Sequence, residues 1–312
     1  MKIVFMGTPD YAAVTLQKLI SAGHDIAAVF AQPDKPVGRK RILTPPPVKV
    51  LAEKHNITVF QPNTLRDGKA TEILREIAPD IIVVVAYGKI LPKEILEIPK
   101  FGCVNGHASL LPKYRGASPI QWCIVCGEKV TGVTTQFMAE GIDTGDILET
   151  VEVDIGDEET AEELFDRLSV KSADLMVSTV DKLSKGEITP TPQNHDEATY
   201  APIIKKEMAL IDFNKTADEI HNAVRGYYSW PCAYFFRGGK RIKVISCRVG
   251  ETTDSKAGTV VGNTDELVVA CGKGTTLRIL ELQPEGSKPM TAKQMLCGKP
   301  IPLGSPIGDN ND

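Results

Sequence analysis

Apolar residues in the first two-thirds of the chain fall into short runs separated by stretches of helical periodicity. Lys2 to Met6, Ile26 to Phe30, Thr58 to Phe60, Ile81 to Ala86 and Cys103 to Gly106 read as strands, with Tyr11 to Ser21 and Thr71 to Ile77 as helices among them. This alternation predicts an α/β fold with a parallel, Rossmann-like sheet. Ile81-Ile-Val-Val-Val85 has no polar alternation, the pattern of a central strand covered on both faces. Ligands of such sheets bind beyond the carboxyl ends of the strands, so Ala86-Tyr87-Gly88 and the residues following Val104 are where chemistry is expected.

A long helical pattern from Thr160 to Lys185 stops at Gly186, and Pro190 and Pro192 then mark a linker. Beyond it come a capped helix, Lys215 to Val224, and five short strand candidates. These are Ala233 to Phe236, Ile242 to Cys247, Thr259 to Val261, Leu267 to Ala270 and Leu277 to Leu282. Short strands with glycine-rich turns such as Arg237-Gly-Gly-Lys240 suggest a small barrel of OB type. The expected division is therefore 1–186, a linker at 187–206, and a C-terminal domain at 207–312. Trp230, followed by Pro231, is expected to serve packing.

Composition sharpens this picture. A chain of 312 residues, 42% hydrophobic and 24% charged, is globular and exceeds what one core usually organises. Its start runs directly into a strand without an apolar stretch long enough for a signal peptide or a membrane span, so a cytoplasmic protein is expected. Seven cysteines, an odd number, make no disulfide framework. Cys123 and Cys126, in the predicted helix Pro119 to Gly127, lack a second ligand pair for zinc and read as small core-facing residues, and no metal is expected.

The chain is acidic, with net charge -4, but residues 205–312 carry 15 Lys and Arg against 12 Asp and Glu. Lys240, Arg241, Lys243 and Arg248 cluster along one hairpin, with Lys205 and Lys206 at the linker. They form either a path for a phosphate backbone or an ordinary solvated face. The proline-rich segment Gln32 to Pro47 carries Lys35, Arg39, Lys40 and Arg41 against Asp34 and is too long for a simple strand-to-helix connection.

Candidate chemistry centres on Asn105, His107 and Asp143. Two residues apart at a strand end, Asn105 and His107 point to the same side, so an amide and an imidazole converge as donors on one oxygen. Asp143, on a glycine-flanked turn, adds a carboxylate that can support a cationic imidazole and relay a proton. Such a trio suits attack on a carbonyl-like carbon without a nucleophilic Ser or Cys. A dinucleotide enzyme is disfavoured, because the first turn reads Gly7-Thr-Pro-Asp10 in place of a Gly-x-Gly-x-x-Gly cradle and Pro9 lacks a backbone donor.

Asn105-Gly-His107-Ala-Ser109-Leu-Leu-Pro112, Arg115-Gly116, Pro119-Ile-Gln121 and Gly141-Ile-Asp143-Thr-Gly145 occur in an order that resembles the 10-formyltetrahydrofolate-dependent formyltransferases. The likeness is greatest to the members acting on methionyl-tRNA. It extends to Phe5-Met-Gly7-Thr-Pro-Asp10, Gln32-Pro-Asp-Lys-Pro-Val-Gly38-Arg39, Val84-Val-Ala86-Tyr87-Gly88 and Ser229-Trp230-Pro231. Gly106 departs from the pattern, which commonly has a larger aliphatic residue there.

The resemblance implies catalysis by Asn105, His107 and Asp143 without a metal, and donor contacts from Ser109, Leu110, Leu111 and Pro112 together with Ala86, Tyr87 and Gly88. It implies initiator methionyl-tRNA as partner. Arg39, with Lys40 and Arg41, would enter the acceptor stem, and Lys206, Lys240, Arg241 and Lys243 would contact its backbone. A monomer is the corresponding expectation. Two alternatives remain at this point: a formyltransferase for glycinamide ribonucleotide or an amino-sugar nucleotide, which would not need the basic segment and barrel in this form, and a non-catalytic tRNA-binding protein, which would not need the trio.

Overall fold

Seven strands of the first compact unit form one sheet in the computed structural model, which describes residues 1–38 and 40–308. They are β1 (Lys2–Gly7), β2 (Asp25–Phe30), β3 (Val59–Phe60), β4 (Ile81–Val85), β5 (Cys103–His107), β6 (Val130–Phe137) and β7 (Ile147–Asp154), in the spatial order β7-β6-β5-β4-β1-β2-β3. The pairs β5–β4, β4–β1, β1–β2 and β2–β3 are parallel. Strand β6 runs antiparallel to both β5 and β7. The order reverses between β1 and β4, so the turns leaving Gly7 and Val85 open at the switch point where α/β sheets bind ligands.

The parallel part follows the apolar runs closely. Every residue of β4 is buried, and Val4, Met6, Phe30, Leu74 and Val84 share one cluster. Burying each such side chain contributes roughly 1.5–3 kcal/mol before the entropy of ordering is counted. Helix α1 (Asp10–Ser21) starts after Pro9 with Asp10 in its first turn and buries Tyr11, Ala12, Thr15, Leu16 and Leu19, a spacing that makes one apolar stripe. Pro47 opens α2 (Pro47–Lys54), Lys69–Ile77 forms α3, and the predicted long helix is α5 (Ala161–Lys185).

The antiparallel strands β6 and β7 depart from the all-parallel expectation. Six consecutive residues of Val130-Thr-Gly-Val-Thr-Thr-Gln-Phe137, threonines and a glutamine among them, are buried, so neither alternation nor an apolar run announces the strand.

The second unit gathers residues 120–129, 155–164 and those from 202 onward, so the two units are not consecutive in sequence. Trp122 and Val125 of α4 (Pro119–Val125) pack with Ile204, Ala209 and Tyr227, and the Trp122 indole N–H donates to the Pro202 carbonyl at 2.9 Å. Helix α6 (Ala217–Gly226) begins in a capping box. The Thr216 hydroxyl accepts from the Glu219 N–H, and the Glu219 carboxylate accepts from that of Thr216.

The strands β8 (Tyr234–Arg237), β9 (Lys240–Val249), β10 (Val260–Gly262), β11 (Leu267–Ala270) and β12 (Thr276–Pro284) form an antiparallel sheet ordered β8-β9-β12-β11-β10. All five lie where the sequence predicts strands.

Two expectations are corrected. Trp230 is 55% exposed, and the buried Tyr227 provides the aromatic packing instead. Cys123 is buried, whereas Cys126 is exposed because α4 ends at Val125 and Cys126 lies on the turn beyond it.

Candidate active site

Strand β5 carries Asn105 and His107 on one face. Across the antiparallel pairing, Asn105 lies opposite Gln136 and His107 opposite Thr134. Because side chains directly opposite each other share a face, the period of two brings four polar groups together. Gly106 faces the other way, where an added β-carbon would sit 3.2 Å from Ser172 Oγ and 3.3 Å from Met176 Cε of α5.

Asp143 sits on the loop between β6 and β7, with φ of 51°. That loop folds back on the end of β6, where the Phe137 N–H donates to the Asp146 carbonyl at 2.9 Å. A β-carbon at Gly145 would fall 1.7 Å from the Phe137 carbonyl oxygen, so only glycine permits this return.

The Asp143 carboxylate then gathers the site. Its Oδ2 accepts from the Gly116 N–H at 2.8 Å and lies 3.6 Å from His107 Nδ1. Its Oδ1 accepts from Gln136 at 3.0 Å and, at a longer 3.4 Å, from the Asn105 amide.

His107 is buried, and its Nε2 lies 2.9 Å from the Tyr114 carbonyl oxygen. A carbonyl only accepts, so this hydrogen bond requires hydrogen on Nε2 and leaves Nδ1 as the nitrogen turned toward Asp143. Fixing the far nitrogen in this way sets both the tautomer and the ring orientation.

Behind these groups lies a polar network that the sequence reading missed. The Gln193 amide donates to Gln136 Oε1 at 3.1 Å, to the Asp143 carbonyl at 3.0 Å and to the Gly145 carbonyl at 2.7 Å. Its oxygen accepts from Arg115 Nη2 at 2.6 Å and Nε at 3.1 Å, and Arg115 Nη2 also lies 3.0 Å from His195 Nδ1. Arg115, Gln136 and Gln193 are all buried. Buried and hydrogen-bonded to one another, these side chains rigidify the loop that carries Asp143. The Arg115-Gly116 motif was visible in the sequence; Gln136 and Gln193 had no signal of their own.

Sequence comparison gives the chain a family. Residues 1–180 match the formyl transferase family and residues 203–300 the formyl transferase C-terminal domain. The chain is 49% identical over 302 residues to a methionyl-tRNA formyltransferase of Thermodesulfovibrio yellowstonii, covering 97% of each chain. It is 46% identical over 312 residues to one of Bacillus thuringiensis, covering 99% of each. The chain belongs to the methionyl-tRNA formyltransferases. At the level of fold, it resembles the N-formyltransferase from Helicobacter canadensis in complex with folinic acid and dTDP-3-aminofucose, with a TM-score of 0.70, 20% identity and coverage of 91% of this chain and 99% of that one. The sugar 3N-formyl transferase WlaRD gives a TM-score of 0.69 at 19% identity, with coverage of 92% and 99%.

In this methionyl-tRNA formyltransferase family member, the two segments expected to meet a folate have distinct local builds. Ala86 and Gly88 are exposed and take positive φ values of 45° and 77°, whereas Tyr87 between them is buried. The Tyr87 carbonyl accepts from Thr8 Oγ1 at 3.1 Å, which ties this turn to the turn after β1. In the other segment, the buried Ser109 hydroxyl donates to the Lys113 carbonyl at 2.6 Å. Thr134 donates to the Ser109 carbonyl at 2.7 Å and accepts from the Leu111 N–H at 3.1 Å. Leu110 and Pro112 are half-buried and Leu111 is buried. Ser109 thus shapes its turn, while Ala86 and Gly88 lie exposed on the other.

The basic candidates lie on both units. Lys40 and Arg41 are exposed at the tip of an antiparallel hairpin, Lys35–Val37 with Ile42–Thr44, that also exposes Val37, Ile42 and Leu43. Arg39 lies outside the described residues. In the second unit, Lys206 and Lys240 are exposed, Lys243 pairs across strands with Tyr234, and the Arg241 guanidinium lies 5.5 Å from the Tyr234 ring centroid. Among the described residues, no helix is long and apolar enough to cross a membrane and no group of three or more His, Cys, Asp or Glu residues could hold a metal ion.

Proposed function

We propose that the chain transfers the formyl group of 10-formyltetrahydrofolate to the α-amino group of methionine carried on initiator tRNA. The observation carrying this reading is the convergence of Asn105, His107 and Gln136 on the single Asp143 carboxylate, which leaves an amide and an imidazole beside one carboxylate at the end of β5.

In the proposed course, the amine attacks the formyl carbon and the carbonyl oxygen becomes an oxyanion. The Asn105 amide turns from its long contact with Asp143 to donate to that oxygen, and His107 donates from Nδ1. Asp143 supports the cationic ring and takes part in removing the amine proton. As the tetrahedral centre collapses, the C–N bond to the donor breaks, the donor nitrogen accepts a proton, and tetrahydrofolate leaves. Ala86, Tyr87 and Gly88 offer backbone groups to the pterin, while Ser109, Leu110, Leu111 and Pro112 form the facing wall.

In the same reading, residues 1–186 perform catalysis and residues 207–312 form an OB-type barrel that holds tRNA through Lys240, Arg241 and Lys243, with Lys206 at its edge. Lys40 and Arg41 guide the acceptor end from the hairpin, and Arg39 shares that role. The chain acts as a monomer in the cytoplasm. Residues 187–206 connect the two parts and supply Gln193 to the site.

A parallel assay of folate-dependent formylation with methionyl-tRNA, glycinamide ribonucleotide and an amino-sugar nucleotide tests the acceptor. Turnover confined to methionyl-tRNA is expected. Preferred turnover of either small molecule would overturn the reading.

A further inference from the structure

The hairpin at residues 35–44 is not simply hung from the sheet. Asp34 precedes it and Lys49 follows it on α2, and Lys49 Nζ lies 3.0 Å from both Asp34 carboxylate oxygens. Both side chains are half-buried, at 19% and 25% exposure, which screens the pair less than an open surface contact. Gln61, just beyond β3, completes a clasp. Its oxygen accepts from Lys49 Nζ at 2.9 Å, and its amide nitrogen donates to Asp34 Oδ1 at 2.7 Å and to the Gln32 carbonyl at 2.8 Å. Donor and acceptor sides of the Gln61 amide are thereby both used, so its orientation is fixed. The Gln61 hydrogen bond and the Lys49 ammonium hold the Asp34 carboxyl below its usual range.

Gln32 carries this clasp to the turn after β4. Its side-chain amide donates to the Tyr87 carbonyl at 3.1 Å and the Gly88 carbonyl at 3.2 Å. A second tie runs alongside, from Lys89 Nζ to the Asn63 carbonyl at 2.6 Å. Hydrogen bonds on either side of Gln32 thus join the 86–88 turn to Asp34 and Lys49, which flank the basic hairpin.

We propose that Gln32, Gln61 and the Asp34–Lys49 pair are positioning residues that couple occupancy of the folate site to the posture of the tRNA-guiding hairpin. This rests on the proposed roles of the 86–88 turn and of the hairpin. A folate that settles on Ala86 and Gly88 fixes the carbonyls to which Gln32 is bound, and through Gln61 it favours one setting of the hairpin base. The coupling is reciprocal, so bound tRNA must raise folate affinity by the same factor.

The test uses the full chain, initiator methionyl-tRNA and tetrahydrofolate, which occupies the folate site and has no formyl group to give. tRNA affinity is measured with and without saturating tetrahydrofolate. For the native chain we expect the ratio to be at least about fivefold. Gln61→Leu and Lys49→Met should each bring the ratio to one, while Lys49→Arg, which keeps the charge pair, should retain it. Lys49→Met keeps the test decisive if Gln61→Leu fails to fold. A native ratio of one, or an undiminished ratio in either folded variant, overturns the coupling.

A hairpin-tip variant, Lys40→Ala with Arg41→Ala, separates the two readings. If it leaves tRNA affinity and formylation rate unchanged, the guiding role of the hairpin fails and the coupling fails with it. If it lowers either one while the clasp variants keep the native ratio, the coupling alone is wrong.

Discussion

Asp143→Asn isolates the charge at the centre of the site with almost no change of shape. In the native arrangement the carboxylate accepts from Gly116, Gln136 and Asn105 and faces His107 Nδ1 at 3.6 Å, with the two ionisable side chains 15% and 7% exposed. Opposite unit charges at that separation attract by about 4.6 kcal/mol at an effective dielectric of 20, which sets the scale of what the pair gives a cationic ring in the transition state. Removing one donor to an oxyanion typically costs roughly 2.7–4 kcal/mol, which gives a scale for losing His107 in its donating form. The expected loss is therefore between about a hundredfold and about a thousandfold, at 1.36 kcal/mol per factor of ten. An asparagine also turns an NH2 group toward either the Gly116 N–H or the Gln136 amide, which moves the expectation to the larger end. The assay is a single-turnover formylation with donor and tRNA both saturating, accompanied by folate binding and thermal melting. A folded variant that binds folate normally and keeps more than about a tenth of the native rate would refute the assigned role.

Gly145→Ala should abolish formylation and lower stability by at least about 1–3 kcal/mol, because the new methyl collides with the Phe137 carbonyl and must displace the Asp143 loop; unchanged melting would contradict the packing. Tyr87→Phe removes a buried hydroxyl with no hydrogen-bond partner among the described residues, so melting should stay level or rise by the equivalent of about 1 kcal/mol with folate affinity preserved. Burial first, then the Arg225 charge, depresses the His221 pKa against the opposing pull of Glu158 and Asp218. The unfolded chain therefore takes up a proton below pH of about 6.5 that the fold resists, and stability falls as pH drops through that value toward the depressed one. His221→Gln should flatten that acid branch in melting curves recorded from neutral pH downward. Lys240→Ala and Arg241→Ala should weaken all tRNAs alike and shallow the salt dependence by roughly 0.7–0.9 log units per lost phosphate contact. An unchanged salt slope would remove them from the interface.

The parallel strands were legible because both faces of β1 and β4 are buried, which leaves uninterrupted apolar runs. Asn105 and His107 were legible because strand period alone fixes their common side, and Asp143 because its flanking glycines announce a tight turn. The partners of Asp143 were not. Gln136 lies on a strand whose buried threonines hide its pattern, and Gln193 follows two prolines in a stretch that composition marks as a connector. Amides carry no charge and no periodicity of their own, so only the folded arrangement shows that they share hydrogen bonds across 57 positions. Trp230 failed for a related reason: bulk alone does not say which aromatic residue a core takes, and the core took Tyr227.

The stretch from 187 to 201 has a practical consequence for exchanging parts between relatives. Tyr200 and Ala201 pair with Arg115 and Gly116, and Gln193 reaches the Asp143 loop. A chimera joined at residue 186 would therefore place a foreign strand and a foreign residue 193 against the Asp143 loop along with the new tail. A seam placed after Ala201 keeps the native set, and residues 120–129 and 155–164, which pack with the second unit, must travel with the tail if its own core is to close. The region that looks most disposable in the sequence is the one a graft has to leave untouched.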